Sequence, residues 1–175
     1  NYVISETDGN GNTKSYTYDA HGNKSSETDS LGNVTRYEHD ATGNLLRMYK
    51  DLNKDGRCNG EDNAVDYAYT EQGNISSIHA NGLVYSYQYS TTDAEKIAKL
   101  LFGDTEAVSY EYTEGKISKI TYANNDSIEY SYNSLDKIEK IKYNKDRFSN
   151  RYNYTYNDDG TLDNVWITGM NAGYF

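Results

Sequence analysis

The 175-residue sequence has no proline, one cysteine, few leucine, isoleucine and valine residues, and no long apolar run. A single cysteine, Cys58, cannot form an intrachain disulfide. No segment reaches the length of a membrane span, and no signal peptide is visible. Lys and Arg number 17 against 27 Asp and Glu, with no basic tract, which argues against nucleic-acid binding. The composition therefore predicts neither a disulfide scaffold nor membrane insertion, and its acidic, cation-attracting surface favours an extracellular protein.

Tyrosine is the abundant apolar residue. The chain has 20 Tyr against 3 Phe and 1 Trp, although only 35% of its residues are hydrophobic. A tyrosine ring buries a large area while its hydroxyl stays hydrated or hydrogen-bonded. Aromatic residues are also enriched in strands, so this composition favours β-sheets without a thick core.

Tyr-x-Tyr pairs recur along the chain at intervals of about 20 residues, apart from stretches lengthened by insertions. The pairs are Tyr16/Tyr18, Tyr67/Tyr69, Tyr85/Tyr87, Tyr110/Tyr112, Tyr130/Tyr132 and Tyr154/Tyr156, with Tyr37/His39 as a degenerate member. A Gly-containing turn signal follows several pairs within five residues, as in Asp19-Ala-His-Gly22-Asn23. The two tyrosines of a pair share one face of a strand, because side chains alternate with period two.

The pattern predicts an all-β fold of tandem antiparallel β-hairpin repeats that form one long twisted, curved or spiralling sheet. Second strands carry aliphatic residues three apart, such as Ile117 and Ile120, and this departure from alternation indicates a β-bulge or local twist. We expect a single array over residues 1–175 with about seven repeats. Because the chain begins within a repeat and without Met, we also expect it to be part of a longer protein.

Residues 92–103 interrupt the array and predict a short α-helix. Thr92 and Glu95 fit a capping box, and Gly103 fits a C-terminal stop. Ala94, Ile97, Ala98 and Leu101 fall on one helical face. Such a helix would cover apolar surface of the sheet.

The string Tyr-x-Tyr-Asp-x-x-Gly-Asn at Tyr16–Asn23, nearly repeated at Tyr37–Asn44, resembles the YD repeat of RHS proteins. That family includes bacterial RHS and wall-associated proteins, shell subunits of toxin complexes, and teneurins. The resemblance implies a strip of β-sheet that spirals into a hollow shell, which in the bacterial toxins encloses a C-terminal effector. The Pro-rich closing segment associated with self-cleavage in many bacterial members is missing, because the chain has no proline.

Residues 51–62 match a twelve-residue calcium loop, Asp-Leu-Asn-Lys-Asp-Gly-Arg-Cys-Asn-Gly-Glu-Asp. Oxygen-bearing side chains stand at positions 1, 3, 5 and 12, glycine at position 6, and a backbone carbonyl is used at position 7. The predicted ligands of a structural Ca²⁺ are Asp51, Asn53, Asp55, Arg57 through its carbonyl, Asn59 directly or through water, and Asp62. Cys58 takes the slot of a packed apolar residue. The competing interpretation is a solvated acidic turn.

No nucleophile pairs with the three histidines, His21, His39 and His79, and no catalytic motif or zinc spacing occurs. We therefore expect no enzyme activity, but a scaffold segment of a secreted or cell-surface bacterial β-shell, stabilised by calcium. Its partners would be further repeats or an effector region of the same parent protein. The alternative is a carbohydrate- or ligand-binding module of a surface adhesin that uses exposed tyrosines, chiefly those of the six pairs.

Overall fold

The computed structural model describes residues 2–60, 62–145 and 148–169, with the backbone alone at Phe148. It contains fifteen strands whose order in the sheet follows their order in the chain. They are β1 (Ser5–Thr7), β2 (Thr13–Tyr18), β3 (Lys24–Thr28), β4 (Val34–His39), β5 (Leu45–Asp51), β6 (Asn63–Tyr69), β7 (Ile75–Ala80), β8 (Leu83–Tyr89), β9 (Ile97–Phe102), β10 (Thr105–Thr113), β11 (Lys116–Tyr122), β12 (Ser127–Tyr132), β13 (Ile138–Lys145), β14 (Phe148–Tyr156) and β15 (Leu162–Thr168). Every recorded pairing is antiparallel, so the predicted all-β hairpin array is confirmed.

The chain divides into two compact units, Asn1–Ser86 and Tyr87–Phe175. The first contains β1 to β7 and most of β8, and the second contains β9 to β15. Most outgoing strands carry a tyrosine pair and are followed by a return strand with aliphatic residues, as β6 and β7 or β10 and β11 show. One outgoing and one return strand therefore make one repeat.

Six of the return strands contain the β-bulge that the aliphatic spacing predicted. Opposite β10, the register steps from Glu111↔Lys119 directly to Tyr112↔Ile117, which leaves Ser118 as the extra residue. The same shift occurs between Ser131 and Tyr132 and in four further hairpins. Because the bulge adds one residue, Ile117 and Ile120 lie on the same face of the sheet although they are three residues apart. They therefore lie opposite Tyr112 and Tyr110.

The Asp-x-x-Gly-Asn turns are held by the aspartate. Asp19 Oδ1 accepts hydrogen bonds from the N–H groups of His21 and Asn23, while the Asn23 side chain donates to Asp19 Oδ2. Gly22 adopts a φ of 91°, which a residue with a Cβ resists. The motif is therefore a structural unit in which carboxylate, glycine and amide each have one role.

The predicted helix at 92–103 is wrong: among residues 90–104 the structure shows a turn followed by strand β9. The Ser90 N–H donates to the Lys96 carbonyl, which closes the turn after Tyr89. Ile97 and Leu100 have the aliphatic spacing of the other return strands. A short, mostly apolar segment fits a helix and a strand equally well, and here pairing with β10 determines the outcome.

Apolar burial is thin throughout. Of the described hydrophobic residues, only Tyr49 is fully buried, with 2% of its surface exposed. Most strand residues are half-buried, as expected where side chains cover one another along a sheet instead of filling a core. Over residues 2–60, 62–145 and 148–169 there is no helix long and apolar enough to span a membrane.

Candidate functional site: the tyrosine face and the loop at 51–62

The tyrosine pairs and the aliphatic residues of the return strands share one face of the sheet within each unit, called here the tyrosine face. In the second unit, Tyr130 lies opposite Ile141 and Tyr132 opposite Ile138. In the first unit, Tyr67 lies opposite Ile78. The residue between two paired tyrosines points to the other face and is exposed, as Ser131 shows. Aromatic-to-aliphatic cross-strand pairs of this kind stabilise a sheet.

The second tyrosine of a pair also bonds to the preceding repeat. The Tyr132 hydroxyl donates to the Ile117 carbonyl at 2.9 Å. The recorded β11–β12 register ends at Lys119↔Glu129, so the hydroxyl reaches a carbonyl beyond the paired ladder, beside the bulge. Equivalent bonds join Tyr18 to Val3, Tyr69 to Leu45, Tyr112 to Ile97 and Tyr156 to Ile138, at 2.7–2.8 Å. We call this bond the tyrosine clasp.

A lysine covers the ring of several clasp tyrosines. Lys116 Nζ lies 5.6 Å from the centre of the Tyr132 ring, and Lys137 Nζ lies 5.1 Å from that of Tyr156. The lysine immediately precedes the residue whose carbonyl accepts the clasp. Ring and hydroxyl of one tyrosine are thus both engaged by the preceding repeat, the ring through a cation–π contact.

These contacts determine how the twelve predicted surface tyrosines are placed. Of Tyr16, Tyr18, Tyr67, Tyr69, Tyr85, Tyr87, Tyr110, Tyr112, Tyr130, Tyr132, Tyr154 and Tyr156, only Tyr85 is exposed, at 37%, and the others are half-buried. Tyr85 also lies two residues further from the following turn than the first tyrosine of the other pairs does. The tyrosine directly before the turn is Tyr89, because Ser90 closes that turn. The pair equivalent to the others is therefore Tyr87/Tyr89.

Sequence reasoning missed the more exposed rings, which lie away from the Gly turns. Tyr122 is 39% exposed and Tyr143 is 42% exposed. Both line a groove with Ile128, Ser127 and Asn144. The Asn144 amide donates to Ser127 Oγ at 3.1 Å and to a carboxylate oxygen of Glu129 at 2.8 Å, so part of the groove's polar lining is engaged internally. Neither tyrosine belongs to a Tyr-x-Tyr pair, so the repeat pattern in the sequence did not identify them.

The loop between β5 and β6 lies over the face opposite the tyrosine face. Met48 pairs with Tyr37 and so lies on the tyrosine face. Because side chains alternate along a strand, Tyr49 and Asp51 lie on the other face. The Tyr49 hydroxyl donates to the Gly56 carbonyl of the loop at 3.2 Å. The loop thereby covers Tyr49 and forms the best-buried apolar position that the structure describes.

Most predicted loop ligands hold backbone N–H groups of the loop. Asn53 Oδ1 accepts from the Asp55 N–H, and Asp55 Oδ1 accepts from the Arg57 N–H, at 3.1 and 2.8 Å. Asp62 accepts from the N–H groups of Leu52 and Asn59 through its two oxygens. Within the described part of the chain, no three Asp, Glu, His or Cys side chains form a cluster suited to a metal. Glu61 lies outside the described residues.

Asp51 differs from the other acids of the loop. Its side chain is fully buried, and its Oδ2 accepts hydrogen bonds from Arg36 Nε at 2.5 Å and from the Gly56 N–H at 3.0 Å. The Arg36 guanidinium holds the pKa of Asp51 below its ordinary value. The other oxygen, Oδ1, is buried without a hydrogen-bond partner. A buried carboxylate oxygen without a hydrogen bond is costly.

Cys58 is half-buried, and the charges of Arg47, Asp62 and Asp66 act on it. Burial raises the pKa of its thiol, with Arg47 opposing that shift and Asp62 and Asp66 adding to it. A raised pKa leaves little thiolate near neutral pH. The structure therefore supports a packed rather than a reactive cysteine.

Comparison with known proteins identifies a repeat and a fold. Residues 3–33 match the family model described as RHS Repeat. The comparison with curated proteins gave no match. Among solved structures, the chain is similar to TcdB2-TccC3-TEV, with 16% identity and a TM-score of 0.71 over 91% of this chain and 9% of that one. It is also similar to the Photorhabdus luminescens Tc holotoxin pore with a TccC3 mutation, with 16% identity and a TM-score of 0.70 over 90% and 9%.

A third structure, TcdB2-TccC3 without its hypervariable C-terminal region, shows 17% identity and a TM-score of 0.71 over 91% and 9%. The chain thus spans about a tenth of the solved chains it matches. At these identities the likeness shows the fold. The RHS repeat at residues 3–33 and the shared fold are consistent with the RHS/YD-repeat family that the tyrosine motif resembles.

Proposed function

We propose that this chain is a non-catalytic wall segment of a larger, secreted or cell-surface bacterial RHS-type shell. The tyrosine clasp carries the proposal, because at five positions it fastens a repeat to the preceding one through groups that the repeats themselves supply. A bond of this kind between neighbouring repeats allows the sheet to be extended by adding further repeats. The small share of the solved chains that this chain matches also favours a segment of a larger shell.

The natural partners of such a segment are further repeats of the same parent protein and an effector region that the complete shell would enclose. The complete reading frame tests this proposal. We expect further Tyr-x-Tyr and Gly-turn repeats directly before or after these residues. Anchoring domains on both sides, together with binding to a glycan array, would instead establish the adhesin function.

A structural calcium ion in the loop at 51–62 is the second part of the proposal. The buried, unpartnered Oδ1 of Asp51 is an oxygen that a hard cation could satisfy. Asn53, Asp55 and Asp62, with the Arg57 carbonyl and Asn59, are the remaining candidate ligands, and all their donor atoms are oxygens. When bound, the ion would supply positive charge and fixed geometry to the longest connection of the first unit.

Calorimetry with added Ca²⁺ tests this second part. We expect a dissociation constant in the range of about 10⁻⁶ to 10⁻³ M and a melting temperature that rises with Ca²⁺. Asp51→Ala and Asp55→Ala should abolish both effects. Asp29→Ala, which removes a turn aspartate outside the loop, should destabilise the protein without removing the response to calcium. No heat and no thermal shift in the unmodified chain would contradict the calcium proposal and leave the shell proposal intact.

A further inference from the structure

Arg36 meets the first residue of the loop from a neighbouring strand. It lies in β4, and the register Val34↔Asp51 and Arg36↔Tyr49 brings it to the face that the loop covers. Arg36 Nε is 2.5 Å from Asp51 Oδ2. A Cβ on Gly56 would lie 3.5 Å from Arg36 Nη2, so the guanidinium lies against the sharp turn of the loop.

The two members of this ion pair differ in their access to water. The Asp51 side chain is 0% exposed, whereas that of Arg36 is 32% exposed. Arg36 can therefore turn towards solvent without unfolding the sheet, while the carboxylate stays under the loop. The pair satisfies only Oδ2, because Oδ1 has no hydrogen-bond partner.

We propose that Arg36 is the built-in counter-cation of the loop and competes with calcium for Asp51, so that this residue sets the calcium affinity. The inference rests on the proposed calcium site and adds its regulation. In the absence of the ion, the guanidinium balances the buried charge of Asp51. When calcium binds, the metal takes over that role and the guanidinium becomes redundant.

The charge balance gives the direction of the effect. Asp51, Asp55 and Asp62 bring three negative charges to the loop, and Arg36 brings a positive charge to within 2.5 Å of Asp51. Replacing Arg36 with a neutral residue removes that repulsion of a divalent cation and releases Asp51 Oδ2 from its strongest donor. It also leaves the carboxylate without a counter-charge when calcium is absent.

The test compares Arg36→Gln with Arg47→Gln by Ca²⁺ calorimetry and by thermal unfolding in chelator and in calcium. Arg47 is the matched control: it is an arginine of the same unit that pairs with an aspartate, Asp66, outside the loop sequence. We expect Arg36→Gln to bind Ca²⁺ at least about tenfold more tightly than the unmodified chain. Its melting temperature should be lower in chelator and should rise more on adding calcium than that of Arg47→Gln.

Three outcomes separate this inference from the calcium proposal. If the unmodified chain binds Ca²⁺ and the two variants match it, the site stands and the role of Arg36 is refuted. If Arg36→Gln binds and the unmodified chain does not, Arg36 is the competing cation and calcium is not a native ligand. If neither binds, both proposals fail. Arg36→Lys, which keeps the charge but not the planar donor, guards against misfolding of the glutamine variant and should show intermediate affinity.

Discussion

Tyr132 shows at residue scale how a side chain can replace a ladder hydrogen bond. Its ring lies opposite Ile138, its hydroxyl bonds to the Ile117 carbonyl, and Lys116 lies over the ring. A net contribution of about 1 kcal/mol is typical of such a hydrogen bond. The five recorded clasps together would then contribute a substantial part of a small domain's free energy of unfolding.

Replacing Tyr132 with Phe keeps the ring and removes the clasp. We expect Tyr132→Phe to lower the free energy of unfolding by about 1 kcal/mol, measured by urea denaturation, because a carbonyl beside the bulge loses its donor. Tyr122→Phe is the control, since Tyr122 is 39% exposed and takes no part in a clasp. Equal loss in both variants would show that the clasp adds nothing beyond the ring.

The sequence predicted the positions of these tyrosines but not their bonds. Alternation placed each pair on one face, and the aliphatic spacing at Ile117 and Ile120 indicated the bulge. The clasp has no sequence signature of its own, because its acceptor is a backbone carbonyl. Similarly, the match at Asp51–Asp62 identified the loop, whereas the contact of Asp51 with Arg36 depends on the β4–β5 register.

At the scale of the element, turn chemistry decides where each strand ends. The hairpin between β10 and β11 is a two-residue turn in which Glu114 and Gly115 have φ values of 50° and 79°. Positive φ at both positions is the pattern for which Asn-Gly is preferred, as Asn81-Gly82 shows between β7 and β8. Glu114 is therefore held in a conformation that its side chain disfavours.

We expect Glu114→Asn to raise the free energy of unfolding by a few tenths of a kcal/mol up to about 1 kcal/mol, because asparagine tolerates this conformation better. Chemical denaturation measures the change. Glu111→Asn removes the same charge from an exposed position of the preceding strand and should not stabilise the protein. A stabilisation shared by both variants would point to charge and not to turn geometry.

The turn aspartates make stability depend on pH. The Asn23 N–H is the main cause that lowers the pKa of Asp19 from its ordinary 3.8, and the Asn33 side chain is the main cause at Asp29. Because the folded-state pKa is below the unfolded one, this stabilisation is present above about pH 4 and is lost as pH falls through the folded-state pKa. We expect the urea midpoint to fall as the pH drops below about 4.

Asn substitution provides the matched comparison for that pH dependence. Asp29→Asn cannot ionise, so the variant should be less stable near neutral pH and should lose less stability on acidification. If stability depends on pH in the same way in Asp29→Asn and in the unmodified chain, the Asp29 carboxylate does not contribute to the pH dependence of stability.

The error at residues 92–103 also belongs to this scale. Ile97 and Leu100 are compatible with a helical stripe, yet they occupy the aliphatic positions of a return strand. Local periodicity could not separate the two structures, whereas the preceding tyrosines and the two-residue turn at Gly103 and Asp104 fit a hairpin. The position of this segment within the series of hairpin repeats indicated a strand more strongly than local periodicity indicated a helix. The unusually long turn before β9 obscured that position.

For the molecule as a whole, stability depends on neighbouring strands because there is little core. Strand β15 is the last that the structure describes, and all seven of its residues are exposed, including Val165 and Ile167. Such a strand offers backbone groups and apolar side chains to another chain.

We expect the isolated chain to self-associate through this edge at high concentration, as measured by light scattering. Ile167→Lys should reduce association, because a charge on the apolar face of an edge strand opposes pairing. Ser131→Lys makes the same change in net charge at an exposed position of β12 and should leave association unchanged. A strictly monomeric unmodified chain would show that the β15 edge is protected.

The chemistry of the clasp also has an evolutionary consequence. Its donor is a side chain, but its acceptor is a peptide carbonyl that every residue carries whatever its identity. The clasp between neighbouring repeats therefore requires no co-variation of the residue that supplies the carbonyl. Duplication, deletion or exchange of whole repeats would thus keep this hydrogen bond at each new junction that retains the tyrosine.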